Sequence, residues 1–174
     1  MNKILGIFAA TGLSLAVALP AAAEPANLLG VFDNWSAYSS GSGSSMTCYA
    51  LSKPRASQPK TAKRGAIYLM VSDWPYRKVK AEPQIVYGYQ AKEGGVAALG
   101  IGPDKFTFFI RNAGKDGSGW LQQLSDNPRL ISVMQDGVLA VAQGTTTKGL
   151  KTSDTYSLAG FNDALAKIHS VCQM

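Results

Sequence analysis

The stretch DTYSLAGFNDALAKIHSVC, residues 154–172, carries the most regular pattern in the chain. Apolar side chains recur in it at spacings of three and four, which places them on one face of a helix. We therefore predict a C-terminal helix that begins at an N-cap Ser157 and docks by one face onto a larger body. Asp154 is interpreted as part of the polar turn that leads into this helix. The predicted buried face consists of Leu158, Phe161, Leu165, Ile168 and Cys172.

The start of the chain has the features of an export signal. Lys3 is followed by an apolar run over residues 4–19 and by small residues up to Ala23. This pattern predicts a secretory signal peptide, residues 1–23, that is cleaved near Ala23; an uncleaved membrane anchor is the alternative. Residues 24–174 then form a single domain that is periplasmic, secreted or associated with the outer membrane.

The chain has only two cysteines, Cys48 and Cys172. In an exported protein such a pair predicts a disulfide, which would contribute about 4.7 kcal/mol in the chain-entropy treatment of a long loop. Two free thiols or an intermolecular bond are the alternatives. His169 is the only histidine, and two cysteines with one histidine do not make a structural zinc site. We predict no metal and no cofactor.

Between these ends, about seven or eight short apolar or alternating runs are separated by turn signals. Because helices do not alternate with strands, the pattern favours a mainly β, antiparallel β-sandwich with one short helix and the C-terminal helix. Strands are predicted over residues 31–38, 46–51, 66–72, 84–90 and 138–143, with a hairpin of residues 96–102 and 105–111.

The segments between these strands have their own predictions. Residues 24–30 are interpreted as a flexible leader and residues 114–119 as a glycine-rich loop. Residues 145–151 are interpreted as a turn-rich connection to the last helix. The short helix is predicted to begin at Asn127 and Pro128, and its apolar face and end are Leu130, Ile131, Met134 and Gly137.

The strongest candidate for a functional surface is the basic stretch KPRASQPKTAKR, residues 53–64. Its two prolines and its lack of acidic residues predict a long exposed loop. We interpret it as a docking surface for phosphate or sulfate groups, such as those of lipopolysaccharide, anionic lipid or a glycan. Simple solvation of an exposed loop is the alternative. With a second basic cluster that follows, the candidate anion-binding residues are Lys53, Arg55, Lys60, Lys63, Arg64, Arg77, Lys78 and Lys80.

Catalytic patterns are not evident in the sequence. A serine or cysteine hydrolase needs a base beside its nucleophile, and His169 is interpreted as a surface residue near a helix C-terminus. Trp35, Trp74 and Trp120 would suit a sugar-binding platform, although packing in the core or at a sheet edge is the preferred interpretation. We predict that the protein is not an enzyme; a hydrolase with an unrecognised site is the remote alternative.

Residues 144–172 resemble the invasion-associated locus B family of exported Gram-negative bacterial proteins. The family pattern has a basic residue and glycine, a threonine-rich stretch, and then a DTYSL segment that leads to a cysteine. Leu150 departs from it, because threonine is usual there. The matching family-motif positions are Lys148, Gly149, Asp154, Thr155, Tyr156, Ser157, Leu158, Gly160, Phe161, Ala164, Leu165, Ile168 and Cys172.

The resemblance implies an immunoglobulin-like β-sandwich located in the periplasm or at the outer membrane. Founding members of the family are tied to host-cell invasion, and the family supplies no established catalytic residues. We therefore expect a non-enzymatic envelope protein that binds an anionic envelope component or a protein partner, and no nucleic acid. A secreted or surface factor that engages host cells is the alternative.

Overall fold

The computed structural model describes residues 25–95 and 97–174. The predicted signal peptide, residues 1–23, lies outside the described residues. Within them the chain forms two α-helices and eleven strands, and every strand pairing is antiparallel. The prediction of a mainly antiparallel β fold with a short helix and a C-terminal helix is confirmed.

Nine strands precede the first helix, and two follow it. The strands are β1 (Asn27–Phe32), β2 (Trp35–Ser40), β3 (Thr47–Ser52), β4 (Ala56–Gln58), β5 (Tyr68–Trp74), β6 (Val79–Val86), β7 (Ala98–Ile101), β8 (Asp104–Ala113), β9 (Asp116–Leu121), β10 (Leu139–Thr145) and β11 (Lys151–Ser157). The helices are α1 (Asn127–Asp136) and α2 (Phe161–Cys172).

The long strand β8 joins two sheets into a sandwich-like arrangement. Its first part, residues 104–107, pairs with β7, and its second part, residues 108–113, pairs with β9. The first sheet has the order β1-β2-β3-β5-β6-β9-β8, and the second has the order β8-β7-β10-β11-β4. The predicted inward face of β8 is confirmed, since Phe106, Phe108 and Ile110 are buried.

Both helices bury the faces that their sequences predict. In α1, which starts at Asn127, the buried residues are Leu130, Ile131 and Met134, and Gly137 follows the last turn. Helix α2 packs against β1, β2, β3 and β5 of the first sheet. The predicted apolar face before and along α2 is buried throughout: Leu158, Phe161, Leu165, Ile168 and Cys172.

The entry into α2 differs from the prediction. Residues 151–157 are strand β11, so Asp154 lies in a strand and the interpretation of a polar turn is wrong. Ser157 ends that strand, and its hydroxyl accepts a hydrogen bond from the Ala159 N–H instead of capping the helix. The N-cap is Gly160, whose φ of 85° is a left-handed conformation that suits glycine.

Three other segments that the sequence assigns to a leader or to loops contain strands. Residues 27–30 of the supposed leader belong to β1, which pairs with β2 through a turn at Asp33 and Asn34, so residues 31–38 are part of a hairpin. The supposed glycine-rich loop, residues 114–119, overlaps β9. Residues 146–150 form the connection between β10 and β11, so the predicted turn-rich segment is present but leads into β11 and not directly into α2. The basic stretch contains β4, which pairs with β11. Strands β4 (ASQ) and β9 (DGSGWL) are polar or glycine-rich, so pairing with neighbouring strands holds them and apolar alternation does not reveal them.

Candidate anion-binding surface

The predicted disulfide joins Cys48 on β3 to Cys172 on α2, with their Cα atoms 6.0 Å apart. A second contact holds the same helix, because Nδ1 of His169 lies 2.7 Å from Oδ2 of Asp73 on β5. The Asp73 carboxylate is fully buried and also accepts the Ala81 N–H at 2.8 Å. The His169 side chain is only 21% exposed. His169 lies in the last turn of α2, as predicted, but its ring is mostly buried and bonded to Asp73, so it ties α2 to the first sheet instead of facing solvent.

Trp35 completes this attachment from β2. Its indole N–H donates to the Ser157 carbonyl oxygen at 3.0 Å, and its ring centroid lies 4.8 Å from that of Phe161. Trp35 is fully buried, so the preferred interpretation of core packing is confirmed for this residue. Ser157 and Phe161 of the family motif thus form contacts between the two sheets and α2.

Arg64 does not present its charge to solvent. Its two terminal guanidinium nitrogens donate to the two carboxylate oxygens of Asp154, each at 2.6 Å. The two side chains are 5% and 0% exposed. Nε of Arg64 donates to the Tyr87 carbonyl oxygen at 3.2 Å. Burial by itself lowers the pKa of Arg64, but the hydrogen bonds and charge of Asp154 outweigh burial and raise it overall. Asp154 neutralises the Arg64 charge inside the protein, so this residue does not serve the predicted anion-binding role.

Three tyrosines surround this ion pair. The Arg64 guanidinium lies over the Tyr89 ring, 5.1 Å from its centroid, and the Tyr89 hydroxyl lies 2.6 Å from Oγ1 of Thr152. The Tyr87 hydroxyl donates to the Gln143 carbonyl oxygen at 3.2 Å. The Tyr156 hydroxyl is buried without a hydrogen-bond partner in the described part of the chain. Burial raises the pKa of all three phenols, and for Tyr156 the charge of Asp154 adds to this effect.

The ion pair fixes Lys63, the neighbour of Arg64, at the edge of two grooves. One groove, of about 510 Å³, is lined by Lys63, Tyr89, Gln90 and Lys148 among others. The adjoining groove shares Lys63, Tyr89 and Gln90 and adds Lys115. We call the surface formed by Lys63, Lys115 and Lys148 the basic end. Asp116 is the one acidic side chain among the described residues that line these grooves.

The sequence does not predict that the three lysines of the basic end lie together. Lys63 precedes β5, Lys115 lies in the β8–β9 turn, and Lys148 lies in the β10–β11 turn. The sequence predicts Lys148 only as a family-motif position, and it assigns Lys115 to no site. Segments so far apart in sequence are brought together only by the order of the strands, so no local pattern predicts the cluster.

The other predicted basic residues divide into two groups. Lys53, Arg55 and Lys60 are exposed, but they do not line either groove of the basic end. Arg77, Lys78 and Lys80 are also exposed, at the turn between β5 and β6. Because β5 and β6 are antiparallel, this turn lies at the end of the hairpin opposite to Gly65 and Gly88, which line a groove of the basic end. The two basic clusters of the sequence are therefore separate surfaces.

The described residues contain neither a cluster of metal ligands nor a helix that could span a membrane. Within residues 25–95 and 97–174, no group of three or more His, Cys, Asp or Glu side chains is arranged to hold a metal ion. Over the same residues, neither helix has the length and apolar character that crossing a membrane requires.

No protein-family model matches the sequence, and no curated protein sequence matches it either. Among solved structures, the chain is similar to the crystal structure of invasion associated protein b from Bartonella henselae. The similarity has a TM-score of 0.56 at 11% sequence identity, and it covers 83% of this chain and 98% of that one. At such an identity the likeness concerns the fold. The resemblance that the motif of residues 144–172 predicts is thus confirmed in the architecture: this chain has the fold of invasion associated protein b.

Proposed function

We propose that the protein is an exported, non-enzymatic envelope protein that binds an anionic envelope component through its basic end. The observation that carries this proposal is the convergence of Lys63, Lys115 and Lys148 around Tyr89 and Gln90. Three cations from separate segments, with one acidic neighbour, attract an anionic group more strongly than scattered surface lysines do.

The Arg64–Asp154 pair supports this surface without contributing charge to it. The pair anchors the end of the basic stretch to β11, and Tyr89, which lies under the Arg64 guanidinium, lines both grooves. A lysine beside an anchored segment loses less conformational freedom on binding than a lysine in a mobile loop, so the bound state costs less entropy.

Export is part of the proposal. The sequence of residues 1–23 favours a cleaved signal peptide, residues 24–174 would form the mature domain, and the Cys48–Cys172 disulfide suits an oxidising compartment. The envelope component that we test is lipopolysaccharide, whose phosphate groups match a cluster of lysines.

The test is a binding assay of the mature protein with immobilised lipopolysaccharide at low and moderate salt. We expect Lys63→Glu/Lys148→Glu to weaken binding by about tenfold or more, because two attractions become repulsions. Lys105→Glu/Lys167→Glu is the matched control, since it makes the same change in net charge away from the basic end. Equal losses in both double variants would mean that only net charge matters and would contradict the proposal.

The second candidate is a secreted or surface factor that engages host cells. It is favoured by one observation, the shared fold with a protein named for its association with invasion. It requires exposure outside the outer membrane. Protease treatment of intact cells tests it: digestion of the protein would support the second candidate, and full protection would argue against it.

A further inference from the structure

The outward face of the first sheet carries an unusual row of side chains. Strand register places Phe109 beside Trp120, Trp120 beside Gln84, and Gln84 beside Met70. Neighbours on adjacent strands point to the same side of a sheet. All four are partly or largely exposed, whereas Ile85, next to Gln84, is buried on the other face. The solvent side of β5, β6, β9 and β8 thus has an aromatic strip with polar groups beside it.

Cations and hydrogen-bonding groups frame the aromatic rings. Trp120 and Phe109 are stacked with centroids 6.0 Å apart, and the Arg111 guanidinium lies 5.8 Å from the Phe109 centroid. On the other side, the Trp74 indole N–H donates to Oε2 of Glu82 at 3.0 Å. The Arg77 guanidinium lies over the Trp74 ring at 5.3 Å.

A groove opens beside Trp120, where β9 ends and β6 continues. It measures about 250 Å³ and is lined by Trp120, Lys78, Lys80, Glu82 and Asn127 among others. The Asn127 side-chain amide donates to the Lys80 carbonyl oxygen at 3.2 Å. Its Oδ1 is a buried acceptor without a hydrogen-bond partner in the described residues. Asn127 thus holds the wall of the groove at Lys80, and Glu82 supplies a carboxylate acceptor among the lining residues.

We propose that this groove and the adjoining aromatic strip bind an acidic glycan, at a site separate from the basic end. The apolar face of a sugar ring stacks on the Trp120 indole, because the indole offers a large apolar face and a polar N–H at one edge. Sugar hydroxyls donate to the Glu82 carboxylate, and a uronate or sulfate group pairs with Lys78 or Lys80.

Charge and chemistry select this ligand over other polyanions. Lys78 and Lys80 line the groove together with Glu82, the one acidic residue among those described as lining it. A carboxylate beside the aromatic ring repels a closely spaced phosphodiester backbone, but it accepts hydrogen bonds from sugar hydroxyls. The mixture of two cations, one carboxylate and a stacking ring therefore fits a sugar that bears both hydroxyls and an acidic group.

The test titrates the mature protein with a short oligogalacturonate and with a neutral maltooligosaccharide of equal length, while tryptophan fluorescence is followed. We expect the acidic sugar to change the emission and to bind at least about tenfold more tightly than the neutral one. Trp120→Ala should weaken its binding by about tenfold. Tyr76→Ala, which removes an exposed aromatic ring that does not line the groove, should leave binding unchanged.

A second variant guards against a folding defect in Trp120→Ala. Lys78→Gln/Lys80→Gln alters two exposed side chains and should reduce binding of the acidic sugar to the level of the neutral one. No binding of the acidic sugar would overturn the proposal, as would binding that these variants leave intact. Loss of acidic-sugar binding in Lys63→Glu/Lys148→Glu alone would also overturn it, because the sugar would then occupy the basic end.

Discussion

At the scale of single residues, the motif that carries the family resemblance is explained by contacts that hold the fold. Asp154 neutralises a buried arginine, Tyr156 fills the core, and Ser157 accepts the Trp35 indole N–H through its carbonyl oxygen. Phe161 packs on Trp35. None of these four groups faces the basic end as a free charge, so we assign these motif positions to stability; Lys148 is the motif position that belongs to the basic end.

The buried ion pair gives the first prediction. Asp154→Asn should destabilise the protein by about 3–5 kcal/mol, because it leaves the Arg64 charge buried without its partner. Asp104→Asn breaks the exposed pair with Arg129 and should cost less than about 1 kcal/mol. Chemical denaturation of both variants measures the free energies of unfolding. A loss in Asp154→Asn as small as that in Asp104→Asn would contradict the assignment.

The buried tyrosines give the second prediction, which concerns alkaline pH. Burial raises the pKa of Tyr87 and Tyr156, whereas tyrosines of the unfolded chain ionise near pH 10. Above about pH 10 the unfolded state therefore binds fewer protons than the folded state, and stability falls as pH rises. This contribution is fully present below about pH 10.

Tyr156→Phe isolates one such phenol. Because the Tyr156 hydroxyl has no partner in the described structure, its removal should be neutral or stabilising at pH 7. It should also make the alkaline loss of stability less steep. Denaturation curves at pH 7 and above pH 10 measure both effects; a variant that is strongly destabilised at pH 7 would show that the hydroxyl has a partner.

At the scale of elements, Gly160 determines how β11 turns into α2. Its φ is 85°, and a β-carbon there would overlap the Phe32 carbonyl group. Gly149 has nearly the same φ, 84°, but open space around it. The two positions separate backbone strain from steric overlap, because a side chain at either one is strained and only Gly160 lacks room.

The third prediction compares these glycines. Gly149→Ala should cost about 1 kcal/mol from the left-handed backbone alone. Gly160→Ala should cost several times more, because β1 must move away from the start of α2. Thermal and chemical denaturation measure both; equal losses would show that the Phe32 contact is easily relieved.

The elements also show how far the sequence predicts this structure. Apolar periodicity located α1, the buried face of α2 and the inward face of β8, since each depends on its own residues. Strands such as β9 and β11 are rich in glycine or polar residues, and they become strands because neighbours complete their backbone hydrogen bonds. The Arg64–Asp154 pair spans 90 residues, so no local signal could join a basic stretch to a motif aspartate.

At the scale of the whole molecule, three contacts fix α2 and its preceding residues to the first sheet. The two proposed binding surfaces lie at opposite ends of the β5–β6 hairpin. Disulfide, His169–Asp73 and Trp35 contacts tie α2 to β3, β5 and β2. The basic end lies at one end of the hairpin, and the Trp120 groove lies near the other. The two surfaces proposed above for ligand binding are therefore held apart by the same hairpin.

The position at which an anionic ligand binds tests the proposed function most directly, and amide chemical shifts can locate it. We would titrate isotope-labelled mature protein with the soluble phosphorylated saccharide of lipopolysaccharide at low salt. We predict that the largest shifts fall at residues 60–65, 88–90 and 146–150 and decrease as salt rises. Shifts confined to residues 75–80, or no shifts at all, would contradict the assignment of the basic end as the binding surface.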